Sequence, residues 1–391
     1  MPEQFLHGTE VIEIDGGARP IRTVKSSVIG VVGTAPDADP VAFPLNTPVL
    51  VTGSILEAAK LDTVGTGSGT LPSAMDAIFD QAGAMVVVIR VDEGIDPAAT
   101  QSNVIGGVDV TTGTYTGIKA FLAAQGAVKV TPRILIAPGF SHEQAVTTEL
   151  DSVAGRLRAV IIADGPNTND ADAITYRELF GSRRVYIVDP GVKVWDTVLN
   201  AEVIQPVSAR VAGIIAKSDN ERGFWWSPSN REILGITGTV RPIDFTLGDV
   251  NSRANYLNEN DVATIIQENG FRLWGNRTCS SDPKWAFLSV VRTNDMINDS
   301  LLRAHMWAVD RNITKTYIED VTEGVNNYLR HLKKIGAILG GECWADPELN
   351  SIDQIQQGKA YFDFDFTPPY PAEHITFRSH LVGDYIEEVF K

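Results

Sequence analysis

Hydrophobic residues along this chain are spaced in two ways, and the spacing changes near residue 250. From about Ser26 to Trp195, short Val/Ile-rich runs alternate with helical patterns. The runs are "SSVIGVVGTAP", "PVLVTGS", "AMVVVIRV", "RILIAPG", "RAVIIADGP" and "RVYIVDPGVKVW", each closed by Gly, Pro or a charged residue. Such runs predict buried strands. Between them "LPSAMDAIFDQAG", "GIKAFLAAQ", "SHEQAVTTELDSVAGRLR" and "DADAITYRELFGS" predict helices; in the third, Ala145, Leu150, Val153 and Leu157 fall near one face. Alternating β and α units imply a mostly parallel sheet with helices on both faces. Beyond Trp195, "SARVAGIIAKSDNERG" predicts a helix and "RPIDFTL" a strand.

After residue 250 the pattern predicts longer helices and a few strands. "DVATIIQENGFRLWGNRT" reads as a helix ended by Gly270, then a strand. A helix is expected from Asn294 to Asp310, with Met296, Ile297, Leu301, Ala304, Trp307 and Ala308 on a core face. Leu302, Met306 and Val309 form a second, narrower stripe flanked by Asp295, Asp299 and Asp310. A helix apolar on two sides is packed on two sides, either within its own domain or against a partner. "TKTYIEDVTEGVNNYLRHLKKIG" predicts another helix, with Thr314 as its N-cap and Gly336 at its C-terminal end. "AILGGECWAD" suggests a strand, and "AYFDFDF" is a strand with Phe362, Phe364 and Phe366 on one face and Asp363 and Asp365 on the other. "ITFRSHL" is expected to pair antiparallel with it and bring Arg378 near the aspartates.

Both ends carry apolar residues in patterns that want a partner. "TEVIEID" alternates Glu10, Ile12 and Ile14 against Val11, Glu13 and Asp15, and Gly16–Gly17 follow. At the other end, Tyr385, Ile386, Val389 and Phe390 have helical spacing but strand-favouring types. Such segments could close within one domain or pair with another chain by strand addition.

Composition narrows the functional classes. The chain has 391 residues, enough for two or three domains at roughly 150 residues each. Asp plus Glu number 49 against 33 Lys plus Arg, a net charge of −16, which argues against a nucleic-acid binder. The two cysteines, Cys279 and Cys343, form neither a disulfide framework nor a zinc motif. No signal-peptide pattern opens the sequence and no apolar run nears the ~20 residues of a membrane helix. A soluble protein made in a cytoplasm, with no membrane contact, is expected.

Candidate chemistry is sparse. Asp164 and Asp189 follow predicted strands, where a doubly wound sheet binds ligands. They are the basis of an alternative reading as an α/β enzyme, although Asp, Gly and Pro are also ordinary turn residues there. "GTGSGT", Gly65 to Thr70, precedes a helix but is not a P-loop. The six histidines are scattered, with no nucleophile–base constellation, metal ligand set or cofactor motif.

Longer stretches carry a family resemblance. "NGFRLWGNRTCSSDPKWAF" (Asn269 to Phe287), "HGTEVIEIDGGARPI", "FWWSPSNREILGITGT", "HMWAVDRNITKTYIEDVTEGVNNYLRHLKKIGA" and "QGKAYFDFDFTPPYPAEHITFR" resemble contractile tail sheath proteins of temperate myophages and R-type contractile bacteriocins, in order along nearly the whole chain. The resemblance implies a structural subunit, not an enzyme, with no cofactor. It would polymerise as stacked hexameric rings around a tail tube in a metastable extended state, then contract and drive the tube through the target envelope. Its partners would be itself, the tail tube protein, and the baseplate and tail terminator proteins, in a virion tail or bacteriocin particle assembled in the bacterial cytoplasm. The implied fold is an outer α/β domain (residues 23–249) and an α+β inner domain (250–382). An N-terminal arm (1–22) completes the inner domain, and a C-terminal arm (383–391) follows it. Glu10, Val11, Ile12, Glu13 and Ile14, with Tyr385, Ile386, Val389 and Phe390, would be intersubunit arms that exchange strands. Asp295, Asp299, Leu302, Met306 and Val309 would face the tube.

Overall fold

A computed structural model describes residues 21–383 together with Tyr385, Ile386 and Val389. The arm residues Glu10 to Ile14, and Phe390, lie outside the described residues. Most of the chain is built on a nine-stranded sheet. Its strands are β1 (Ile29–Thr34), β2 (Val49–Thr52), β3 (Met85–Val91), β4 (Ile134–Ile136), β5 (Val160–Asp164), β6 (Val185–Val188), β9 (Arg231–Glu232), β11 (Val262–Gln267) and β12 (Phe271–Trp274). Their order is β2-β3-β1-β4-β5-β6-β11-β12-β9. The central strands from β3 to β11 run parallel, and β2, β12 and β9 join antiparallel at the edges. The central strands are buried along their length because helices cover both faces. On one face lie α1 (Leu71–Phe79) and α5 (Ser208–Glu221), through Leu71, Met75, Ile78, Val211, Ile214 and Ile215. On the other lie α2 (Pro97–Ile105), α3 (Gln144–Leu157) and α4 (Asp170–Glu178), through Val104, Val146, Leu150, Val153 and Tyr176. This is the mixed α/β, parallel-rich architecture that the alternation predicted.

Three local readings are corrected. The stretch after Asp261 is a β11–β12 hairpin, not a helix: Gln267 pairs with Phe271 across a turn in which Asn269 and Gly270 have positive φ. Asn-Gly is a strong turn signal, and the β-branched Val262, Thr264, Ile265 and Ile266 favour a strand over the helix their spacing suggested. Since β11 and β12 belong to the main sheet, a domain boundary at 249/250 would cut that sheet. "RPIDFTL" forms no strand. A separate three-stranded sheet instead takes β7 (Val192–Asp196), β8 (Ala201–Gln205) and β10 (Gly238–Thr239).

A third core holds the C-terminal part. Two helices build it: α7 (Leu288–Ala304) and α8 (Lys315–Lys334). The α6 helix (Arg253–Glu259) precedes them. Thr314 caps α8 by accepting the Tyr317 N–H at 3.1 Å, and Gly336 follows it at φ 81°, as the sequence predicted. Met296, Ile297 and Leu301 of α7 meet Val325, Tyr328, Leu329 and Leu332 of α8, with Phe362, Phe364 and Phe366 packed alongside. Those phenylalanines lie on β14 (Phe362–Thr367), whose partner is β13 (Gly340–Ala345), not "ITFRSHL". The expected pairing fails because the chain is led away after β14. Tyr370 stacks edge-on against Phe287, and Glu373 pairs with Arg277 at 2.6 Å.

The α7 helix begins at Leu288, six residues before the expected start, and bridges two cores. Leu288 and Val291 pack under the main sheet, whereas Met296, Ile297 and Leu301 belong to the C-terminal cluster.

Candidate assembly surface

The carboxyl edge of the sheet was the enzymatic candidate, and there the two aspartates hold the fold together. Asp164, at the end of β5, accepts the Ser208 N–H (2.8 Å), the Ser208 hydroxyl (2.6 Å) and the Ser141 hydroxyl (2.9 Å). It thereby anchors the first residue of α5, whose N–H has no helical partner. Burial pushes its pKa up, against the opposing Ser208 and Ser141 donors. Asp189 is buried after β6 and accepts the Asn167 N–H (2.8 Å) and Arg241 (2.5 Å). Burial again raises the pKa, opposed first by Arg241. A cleft of about 220 Å³ at this edge is lined by Thr70, Ser73, Pro138, Gly139, Gln205 and their neighbours; neither aspartate nor any other ionisable side chain lines it. In the glycine-rich loop, the Gly65, Thr66 and Gly67 amides all donate to Asp62 (2.8, 3.2 and 2.7 Å). The loop's anion nest is thus filled by the chain's own carboxylate, whose pKa those amides lower, Gly67 most. Among the described residues no group of three or more His, Cys, Asp or Glu is placed to hold a metal ion.

The polar side of α7 faces inward. Arg292, Asp295 and Asp299 recur at helical spacing and each meets a charge on the sheet unit. Arg292 bonds Asp219 of α5 (2.5 and 2.7 Å). Asp295 bonds Arg184, just before β6, at 2.5 Å. Asp299 bonds Arg133, just before β4, and Arg303 at 2.8 Å, with Arg158 at 3.7 Å. Asp295 and Asp299 are both buried. The sequence reading placed them beside an exposed stripe facing a tube; that placement is corrected, since their carboxylates are engaged inside the subunit. A helical wheel places them beside the apolar face but does not show that the charged side packs against the sheet unit. The run "RTNDMIND" holds the signal: Arg292, Asp295 and Asp299 share one helix side, and their partners Asp219, Arg184 and Arg133 lie on the sheet unit that this side packs against.

The apolar half of that stripe is at the surface. Leu302, Met306 and Val309 are 57%, 71% and 61% exposed. They do not share one helix. The α7 helix stops at Ala304, Met306 lies in a 3-10 turn (Met306–Ala308), and Val309 follows in extended backbone. Further on, every residue from Ala372 to Gly383 is exposed and none is in a helix or strand. Ile375 is 65% and Phe377 92% exposed, and Leu381 is fully so. Tyr385, Ile386 and Val389 are exposed too. No helix among the described residues is long and apolar enough to cross a membrane. An apolar, uncovered segment outside any helix or strand is suited to association with another chain rather than to chemistry.

Comparison with known proteins gives this surface a setting. Three family profiles match in order: the N-terminal region of tail sheath protein Gp18 domain III (residues 26–91), the phage tail sheath protein central domain (113–279) and the phage tail sheath C-terminal domain (280–381). The break at 279/280 falls after β12, outside the main sheet. The chain is 48% identical to a prophage major tail sheath protein of Pseudomonas aeruginosa (strain UCBPP-PA14), over 98% of both. It is 40% identical to the tail sheath protein of Escherichia phage P2, over 98% of this chain and 97% of the relative. Among solved structures, the helical sheath of the anti-feeding prophage in its contracted state matches with a TM-score of 0.70 at 20% identity, over 96% of this chain and 99% of that one. The sheath complex of an extracellular contractile injection system, also contracted, matches with a TM-score of 0.68 at 17% identity, over 98% and 100%.

Proposed function

The chain belongs to the phage tail sheath protein family, and from that premise we propose that it assembles as stacked six-membered rings around a tail tube, in an extended state that stores the free energy later released by contraction. It is a structural subunit of a contractile tail sheath, and its family consists of structural proteins. The enzyme alternative built on Asp164 and Asp189 is therefore withdrawn. Contraction drives the tube through the target envelope, and the particle is a virion tail or a bacteriocin. Self-association is the main contact; the tube protein and the baseplate and terminator proteins are the others. The terminal segments, Glu10 to Ile14 and Tyr385 to Phe390, link neighbours by exchanging strands and so keep the lattice connected while the bodies rotate. Leu302, Met306 and Val309 form the tube-facing surface.

The observation that carries this reading is the uncovered C-terminal segment on a chain 48% identical to a prophage major tail sheath protein over 98% of both. Burial of large apolar side chains contributes about 1.5–3 kcal/mol each, and that stabilisation is realised only when a second molecule covers them. The test is electron microscopy of the purified full chain over a range of concentrations. Hollow tubes of stacked rings are expected. A protein that stays monomeric at every concentration would overturn the proposal. Changing Leu302 and Met306 to Glu is expected to leave self-made tubes intact and to prevent sheaths from forming on tail tubes. Normal tube-bound sheaths from that variant would remove this surface from the tube contact.

A further inference from the structure

After β14 the chain passes from the C-terminal core to the sheet unit on a short, stiff lead. Phe366 still packs on that core. Pro368, Pro369 and Pro371 follow, and each fixes its own φ, so the lead has little backbone freedom. Pro368 is buried, and Tyr370 meets the edge of Phe287 with the ring centroids 6.3 Å apart. The Glu373 N–H donates to the Pro371 carbonyl at 3.0 Å and closes a tight turn at the end of the lead. There Glu373 meets Arg277 at two points. Arg277 Nε donates to Oε1 (2.8 Å), and Arg277 Nη2 donates to Oε2 (2.6 Å).

Arg277 is not an isolated surface charge. It lies in the chain between β12 and α7, with its guanidinium 5.4 Å from the centroid of the Phe287 ring. Arg277 Nη1 is 3.8 Å from Asp261 Oδ1, and Asp261 Oδ2 bonds Arg177 of α4 at 2.5 Å. Glu373 is thus the last member of an alternating row, Arg177–Asp261–Arg277–Glu373, whose other members belong to the sheet unit. The row opens to water toward its end. The side chains of Arg177 and Asp261 are 18% and 21% exposed, those of Arg277 and Glu373 39% and 40%. An exposed pair adds little to folding and is screened by salt, yet a two-point guanidinium–carboxylate contact fixes a direction. Beyond Glu373 every residue to Gly383 is exposed, and the contact between His374 Nε2 and Thr376 Oγ1 (3.2 Å) stays within the segment.

We propose that Arg277 and Glu373 are positioning residues for assembly: their contact clamps the root of the C-terminal segment and sets the point and direction at which residues 374–391 leave the body. The proposal rests on the sheath reading above and adds to it a clamp that aims the segment before a neighbour is met. A segment held at its root samples fewer directions, so less freedom is lost when a second chain covers Ile375, Phe377 and Leu381. The clamp is also the contact that salt can open. Screening weakens an exposed pair far more than the buried pairs along α7.

The test reads the root of the segment and the assembly separately, both in the full-length protein. Spin labels on Thr376→Cys and on Glu268→Cys, in the exposed β11–β12 turn, report the distance between segment and sheet unit in the dilute subunit. The two native thiols are buried and give little background. A narrow distance distribution is expected at low salt and a broad one at high salt. Glu373→Gln keeps the size of the side chain and removes its charge. It is expected to give a broad distribution at both salt concentrations, with the melting temperature of the dilute subunit unchanged within error. The protein concentration needed to form tubes should rise by up to about five-fold, the factor equivalent to an exposed ion pair of ~1 kcal/mol. Arg277→Lys, which keeps the charge and loses the two-point fork, is expected to fall between wild type and Glu373→Gln. A distribution as narrow in Glu373→Gln as in the wild type overturns the proposal, because the prolines and Tyr370 would then hold the root unaided. A melting temperature lowered by several degrees also overturns it, since the pair would be a strut of the fold. A broad distribution with an unchanged tube-forming concentration removes the role in assembly. Wild-type protein that forms no tubes overturns the sheath reading and the assembly role with it, while the distances in the dilute subunit still separate a clamped root from a free one.

Discussion

Along α7, three carboxylate–arginine contacts lie out of water, at Asp219–Arg292, Asp295–Arg184 and Asp299–Arg133. From Ala372 to Gly383, by contrast, the chain keeps Ile375, Phe377 and Leu381 in water. Each region inverts the usual distribution of polar and apolar groups, for a different physical reason. A buried ion pair adds little net stability compared with an apolar pair, because desolvation offsets the attraction. What it adds is a steep cost for separation, since either charge left alone in the interior is strongly unfavourable. Three such pairs along one helix hold the C-terminal unit in one position on the sheet unit. An exposed apolar segment gives nothing to the isolated subunit, and its free energy appears on contact with a second chain. One seam is closed within the subunit; the other is open in the single subunit and, on the function proposed above, closes on assembly.

The largest expected effect comes from breaking the closed seam. Asp295→Ala leaves Arg184 buried without its carboxylate and is expected to cost about 3–5 kcal/mol of folding stability, measured by urea unfolding. Replacing both partners, with Asp295→Leu and Arg184→Met, should recover most of that loss if the pair serves position rather than net stability. The two cysteines can report which unit opens first. Cys279 lies under the sheet, with its pKa pushed up to about 12 by burial, and Cys343 lies in the C-terminal core, pushed up to about 11 for the same reason. Both thiols are buried and should resist alkylation in the native state. In the Asp295→Ala variant, Cys343 is expected to label at lower urea than Cys279. Simultaneous labelling would mean that the two units still unfold as one body.

A smaller effect tests the C-terminal core alone. Thr314→Ala removes the cap of α8 and is expected to cost about 1 kcal/mol. If that loss lowers the midpoint for the whole chain in a single transition, the seam couples the two units. If only Cys343 becomes reactive, the C-terminal unit melts separately and the seam is weaker than the three ion pairs imply.

The parallel-rich sheet and most of its helices were legible because buried parallel strands read as apolar runs that neighbours cannot disguise. The Thr314 cap and the β14 phenylalanine row were legible for similarly local reasons. The hairpin at 262–274 is harder to read: Asn269–Gly270 announces the turn, but the apolar spacing before it also fits a helix, and only the β-branched Val262, Thr264, Ile265 and Ile266 speak for a strand. The inward face of α7 was illegible in a different way. Asp295 and Asp299 look like a solvated helix flank until Arg184 and Arg133, more than a hundred residues earlier, are brought to them by the fold. The expected pairing of β14 with "ITFRSHL" fails although that segment has strand alternation; nothing local says that β14 takes β13 as its partner instead. Alternation predicts that a segment can be a strand, not which sheet holds it.

The smallest expected effect sharpens the comparison most, because it is an effect of zero. Removing residues 374–391 leaves Glu373 and its contact with Arg277 in place, and removes no residue from the three cores among those described. An exposed segment makes few contacts that unfolding would break, so its loss should leave the melting temperature of the dilute, unassembled subunit unchanged within error. Loss of a buried strand would instead remove ladder hydrogen bonds worth about 1 kcal/mol each as well as the burial of Ile375, Phe377 and Leu381. Calorimetry of the truncated and full-length chains at low concentration separates the two cases. An unchanged melting temperature together with lost polymerisation would place the free energy of the segment wholly in the lattice. A melting temperature lowered by several degrees at low concentration would show that the segment stabilises its own subunit, and the contrast between a closed and an open seam would fall.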